Sequence, residues 1–161
     1  MIRLLIVDDE RLEREGVKYL LSQEKKEWRI YEAANGKDAL QILREEKIDL
    51  LLTDIKMPHM DGLELTSKAK ELYPELPVVI FSGYSDFAFA QEAMRYGVTE
   101  YVLKPVDPEE FHKIIQKTES MISDRKENRN RNSRNRIFSS SISLKIIFIP
   151  EIRIFWKKPE I

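Results

Sequence analysis

The chain has 161 residues, room for one ordinary domain and an appendage but not for two full-sized domains. With 42% hydrophobic and 34% charged residues its composition is that of a soluble globular protein, and the absence of cysteine excludes disulfide scaffolds, thiolate nucleophiles and cysteine-ligated metal sites. The net charge of −1 hides an asymmetry: residues 1–120 carry seven more acids than bases, and residues 121–161 carry six more bases than acids.

Arg3–Val7 is a short apolar run that meets Asp8-Asp9 at once. It suits a buried strand and is too short for a signal peptide or a spanning helix, so a cytoplasmic protein is expected. From Glu10, Leu12, Val17, Leu20 and Leu21 recur at helical spacing. Trp28–Ala33 is strand-like, Asn35-Gly36 punctuates, and Ala39, Leu40, Ile42 and Leu43 mark a second helix. Ile48–Thr53 predicts a third strand, followed by a loop with Pro58 and a helix over Leu63–Leu72. Leu76–Phe81 is a fourth strand, Phe87–Tyr96 a helix stopped by Gly97, and Thr99–Leu103 a fifth strand. Asp107 as N-cap, Pro108 at the first helical position and Glu110 open a last helix that carries Phe111, Ile114 and Ile115 and is expected to end near Ile122.

Five strand-then-helix units with strongly apolar strands predict an α/β fold, a parallel sheet covered on both faces by helices. Ligands of such sheets bind outside the carboxyl ends of the strands, at the point where the strand order reverses. Function is therefore expected just after Val7, Thr53, Phe81 and Leu103.

Residues 123–141 are dominated by Arg, Asn and Ser, and residues 142–161 by Ile and Phe, with no Ala, Gly or Val after Ile122. The expectation is a folded body over 1–122, a polar linker over 123–141 and a tail over 142–161 that forms no domain. The tail is a poor transmembrane span, being broken by Lys145, Pro150, Glu151 and Arg153, and its abrupt composition reads as the product of a frameshift or truncation.

The expected strand ends carry the chemistry. Asp8, Asp9 and Glu10 follow the first strand, Asp54 the third, Ser82-Gly83 the fourth and Lys104-Pro105 the fifth. Carboxylates converging on one crevice repel one another unless a cation lies among them. Without thiols, and with only His59 and His112 as imidazoles, an all-oxygen site points to Mg²⁺ or another hard cation. A lysine and a hydroxyl beside it supply donors for an anion, most simply a phosphoryl group. An aspartate beside Mg²⁺ is a nucleophile suited to forming an aspartyl-phosphate. His59 and His112 are expected at the surface rather than as ligands, and Met57, Pro58 and Gly62 are expected to shape the loop around Asp54.

These residues carry a resemblance. Leu5-Ile6-Val7-Asp8-Asp9-Glu10, Leu52-Thr53-Asp54-Ile55-Lys56-Met57-Pro58-His59-Met60-Asp61-Gly62, Phe81-Ser82-Gly83-Tyr84 and Tyr101-Val102-Leu103-Lys104-Pro105 resemble the receiver domains of bacterial two-component response regulators over residues 1–122. Ser82 through Phe87 and Gln91 through Val98 are similar to receivers of regulators with an AraC-type helix-turn-helix output, a domain for which the residues after Ile122 show no paired amphipathic helices.

The resemblance implies a flavodoxin-like, doubly wound five-stranded parallel sheet in the order 2-1-3-4-5. It implies that Asp54 is the phosphoacceptor, served by a sensor histidine kinase. Asp9, Asp54 and the backbone carbonyl of Lys56 would ligate Mg²⁺ (or Mn²⁺), with Asp8 helping through water. Lys104 and Ser82 would bind the phosphoryl group, Tyr101 would turn inward behind Ser82, and the bond to Pro105 would be cis. Lys56 and Tyr84 would tune the rate of phosphoryl loss. The face of helix four, strand five and helix five would switch and support a phosphorylation-dependent homodimer.

Two rivals remain on the residues. A Mg²⁺-dependent phosphohydrolase with an aspartyl nucleophile would place a second acid two residues after it, where Lys56 stands. A DNA-binding regulator acting through the basic tail would need aromatics interleaved with the arginines, which Phe138, Phe148, Phe155 and Trp156 are not. The expectation is a phosphoacceptor switch rather than a turnover enzyme, with no membrane insertion and no DNA binding without an output domain.

Overall fold

The computed structural model describes residues 1–83 and 87–147, with side-chain surroundings as far as residue 133. Five strands, β1 (Ile2–Val7), β2 (Trp28–Ala33), β3 (Leu50–Thr53), β4 (Val78–Ser82) and β5 (Glu100–Leu103), alternate with helices α1 (Arg11–Ser22), α2 (Gly36–Glu45), α3 (Gly62–Leu72), α4 (Phe87–Arg95) and α5 (Pro108–Ile147). All pairings are parallel and the sheet order is β2-β1-β3-β4-β5. This is the parallel sheet expected from the strand pattern, in the flavodoxin-like order that the resemblance implies.

Because the sheet is covered on both faces, its central strands show no polar alternation, yet successive side chains still part to opposite sides. Leu4 and Ile6 of β1 pack with Leu50, Leu52, Val79 and Phe81 against Leu21 of α1 and Phe111, Ile114 and Ile115 of α5. Leu5 and Val7 pack with Leu51, Val78 and Ile80 against Ala39 and Leu43 of α2, Leu65 and Ala69 of α3 and Ala93 of α4. Helices α1 and α5 thus cover one face and α2, α3 and α4 the other. Truncating any of the fully buried leucines to alanine costs about 2–5 kcal/mol in such a core.

The helix starts follow from local chemistry. Asn35 accepts from the Asp38 N–H, Asp61 from the Glu64 N–H, and Asp107 from the N–H groups of Glu109 and Glu110, each quenching donors the helix leaves unpaired. Gly97, at φ +72°, ends α4 in the left-handed conformation that glycine adopts without steric cost.

One correction concerns α5: the helix does not end near Ile122 but continues through 123–141 to Ile147. No glycine or proline lies between Glu109 and Ile149, and Arg, Lys, Glu and Ser are all tolerated in a helix, so nothing in the sequence stops it. Contacts nevertheless divide the chain into one unit over Met1–Ile122 and another over Ser123–Ile161. Most of the expected tail, residues 148–161, lies outside the described residues. Among the described residues no helix is long and apolar enough to cross a membrane.

Candidate functional site

The order of the sheet reverses between β1 and β3, and the acidic residues lie where these two strands end. The ladder continues a residue past each strand: the Asp54 N–H donates to the Val7 carbonyl at 2.9 Å, the Asp8 N–H to Ala33 at 3.2 Å, and the Lys104 N–H to Ser82 at 2.8 Å. The backbones beneath Asp8, Asp54 and Lys104 are therefore held by the sheet rather than by loops. A cleft of about 850 Å³ opens above them, lined by Asp9, Asp54, Lys56, Gly83, Lys104 and residues of α1.

One oxygen from each of Asp8, Asp9 and Asp54 lies within 4.8 Å of the others. Asp8 is buried and fully engaged: Oδ1 accepts from the Glu10 N–H at 2.8 Å, and Oδ2 from Lys104 Nζ at 2.9 Å. Asp9 is exposed toward the cleft. Asp54 is 13% exposed and its Oδ1 is buried with no hydrogen bond, Lys104 Nζ standing off at 3.9 Å. Burial pushes the Asp54 carboxyl above its ordinary value, and Asp8 and Asp9 push it the same way, against the Lys104 ammonium and the Ile55 N–H. Burial alone would lower Lys104, but its hydrogen bond to Asp8 and the charges of Asp54, Asp8 and Glu13 outweigh it and hold the ammonium above its usual value.

An orphaned carboxylate oxygen facing two further carboxylates, with hard oxygen donors only, is a setting that fits a divalent cation. The expected ligands Asp8, Asp9 and Asp54 are brought together, and Lys56 lines the same cleft. Ser82 is fully buried at the end of β4. Tyr101 is half-buried against the core that includes Ile80 and Ala93. The Lys104–Pro105 peptide bond is cis. Tyr84 lies outside the described residues. His59 is exposed in the loop after Pro58 at φ +68°, and His112 is exposed on α5, where it pairs with Glu24; neither joins the acidic group.

Two residues of α1 belong to this site and were not singled out from the sequence. Arg14 Nη1 donates to the Asp8 carbonyl at 2.7 Å, and Glu13 Oε2 lies 3.4 Å from Lys104 Nζ. Their spacing from Asp9 is the available signal: one helical turn beyond a strand-end acid returns a side chain to the same end of the sheet.

Residues 4–116 match the response regulator receiver domain family. The chain is 35% identical over 132 residues to the uncharacterized transcriptional regulatory protein YesN of Bacillus subtilis, covering 78% of this chain and 34% of YesN. It is 34% identical over 116 residues to the transcriptional regulatory protein HptR of Staphylococcus aureus, covering 71% of this chain and 45% of HptR. It thus spans a third to a half of the length of these relatives. Among solved structures it resembles a two-component transcriptional regulator AraC from Clostridium phytofermentans, with TM-score 0.69, 33% identity, and coverage of 80% of this chain and 99% of that one. It also resembles the response regulator TrrA from Thermotoga maritima in complex with Mg²⁺–BeF, with TM-score 0.66, 30% identity, and coverage of 73% and 99%.

Proposed function

The chain belongs to the response regulator receiver domain family, and from that premise we propose that Asp54 is its phosphoacceptor, charged by a sensor histidine kinase. The observation that carries this reading is the buried, unbonded Asp54 Oδ1 beside Asp8, Asp9 and Lys104 where the sheet order reverses. An Asp54 oxygen forms the bond to phosphorus as the phosphorus–nitrogen bond of a phosphohistidine breaks. The imidazole leaves with the electron pair and takes up a proton from solvent.

Asp8, Asp9, Asp54 and the Lys56 carbonyl would hold Mg²⁺ (or Mn²⁺), and the crystallisation of the Thermotoga relative with Mg²⁺–BeF supports a cation there. Bound, the cation offsets the clustered carboxylates and draws charge from the phosphoryl oxygens. Lys104 sits within reach of both Asp8 and Asp54, so its ammonium can pass from one to a phosphoryl group on the other. The Ser82 hydroxyl, at the end of the neighbouring strand, is the second hydrogen-bond donor to the phosphoryl group, and Tyr101 follows it inward. Lys56 and Tyr84, two residues past Asp54 and Ser82 respectively in the sequence, are the rate-tuning residues.

The readout is a face formed by α4, β5 and α5. Phe87, Met94 and Leu103 are exposed there, apolar surface available to a phosphorylation-dependent homodimer. Hydrolysis of an external phosphoester is disfavoured because Lys56, not an acid, stands two residues past Asp54. The test is intact mass after incubation with acetyl phosphate, with Mg²⁺ and after chelation. A single adduct is expected that needs the metal and is lost in Asp54→Asn; an adduct that survives the substitution overturns the assignment.

A further inference from the structure

Lys104 is shared by three acids. Its Nζ lies 2.9 Å from Asp8, 3.4 Å from Glu13 and 3.9 Å from Asp54, so the acceptor is its most distant partner. Glu13 lines the same cleft as Asp9, Asp54 and Lys104, and its side chain is 46% exposed, against 8% for Asp8. The turn that carries it is pinned to the acid loop by Arg14 and the Glu10 N–H, both bonded to Asp8. Glu13 thus has a fixed backbone and a carboxylate free to swing toward or away from the ammonium.

We propose that Glu13 is a positioning residue for phosphoryl transfer: its carboxylate draws Lys104 back from Asp54 and opposes the approach of anionic phosphodonors, and so limits the rate at which Asp54 is charged. This rests on Asp54 being the phosphoacceptor. A phosphoryl group arriving at Asp54 brings negative charge within reach of both Glu13 and Lys104. It must win the ammonium from Glu13 while being repelled by it. A unit charge a few ångströms away in a half-solvated cleft is worth roughly a threefold to tenfold change in rate. Because Glu13 is half exposed, that effect is screened by salt.

The experiment compares the full chain as wild type, Glu13→Gln and Glu15→Gln with acetyl phosphate and Mg²⁺ at low and high ionic strength. In the reaction an Asp54 oxygen bonds to phosphorus as the phosphorus–oxygen bond to acetate breaks, and acetate leaves with the electron pair. Glu13→Gln is expected to raise the second-order rate constant about threefold to tenfold at low salt, with the gap narrowing at high salt. Glu15→Gln removes the same charge from an exposed position of α1 that pairs with Lys18, and is expected to stay within about twofold of wild type.

Equal rates for wild type and Glu13→Gln overturn the proposal and leave the phosphoacceptor reading intact. A folded Glu13→Gln that is slower, with Mg²⁺ affinity by calorimetry down tenfold or more, overturns it in favour of Glu13 as a cation ligand. No Asp54-dependent adduct in wild type overturns both readings.

Discussion

A methyl group added to Gly62 would stand 1.9 Å from the carbonyl oxygen of Asp54, well inside any tolerated contact. The Gly62 N–H donates to the Ile55 carbonyl at 2.7 Å, so the first turn of α3 is seated directly on the segment that carries the acceptor. Gly62 is needed for this close approach, not for an unusual backbone angle.

Gly62→Ala is expected to cost about 2–4 kcal/mol, because either the helix or the acceptor backbone must move. Chemical denaturation reads the loss. The same variant is expected to be charged more slowly by acetyl phosphate even where it remains folded, since the displaced backbone is that of Asp54.

Asp54→Asn is expected to stabilise the metal-free protein near neutral pH by roughly 1–2 kcal/mol, a rise in Tm of about 3–6 °C. The sign follows from the raised Asp54 carboxyl, which burial disfavours in its charged form. The native state therefore holds this proton more tightly than the unfolded chain, and wild-type stability falls as pH rises from the ordinary carboxylate range through the raised value. The advantage of the variant should grow across that window and vanish below about pH 4. Added Mg²⁺ should raise the Tm of wild type more than that of the variant. Thermal melts across pH, with and without the metal, decide the matter.

Lys104→Ala removes the cation that faces Asp8, Glu13 and Asp54. Its loss leaves the buried carboxylate of Asp8 unpaired and should cost roughly 2–4 kcal/mol without metal, part of it restored by Mg²⁺. Since the ammonium is held above its usual value, the native contribution is fully present at neutral pH and fades only as strong alkali deprotonates it. Denaturation midpoints with and without Mg²⁺ measure both parts, and a variant indifferent to the metal would contradict the shared-charge account.

Asp49 serves as a control at the other end of the sheet. Its carboxylate is 1% exposed and accepts from the Arg3 N–H at 3.0 Å and from Arg3 Nε at 3.3 Å. Asp49→Ala is expected to cost about 2–3 kcal/mol while leaving the rate of Asp54 phosphorylation per folded molecule within about twofold. Paired stability and mass measurements would separate the two effects.

The sheet was legible because runs such as Arg3–Val7 and Leu76–Phe81 are apolar throughout, the mark of strands buried on both faces. The acidic group was legible because each member follows its strand within two residues, and strand ends converge whatever the loops do. Glu13 and Arg14 escaped because their relevance depends on the rotational phase of α1 over the cleft, which spacing alone does not rank above the many other acids and bases. The length of α5 escaped for a different reason: Arg-, Asn- and Ser-rich composition suggests a solvated linker, whereas what breaks a helix most strongly is a glycine or a proline, and neither occurs there.

The orphaned oxygen of Asp54 has a consequence for anyone improving this protein by selection. The sheet holds the backbones of Asp8 and Asp54 in place and leaves Asp54 Oδ1 without a hydrogen bond, so a substitution that removes the Asp54 charge is among the easiest routes to a hardier fold. A library screened for heat resistance alone would therefore enrich variants that no longer accept a phosphoryl group, and a useful screen must ask for Mg²⁺-dependent stabilisation at the same time.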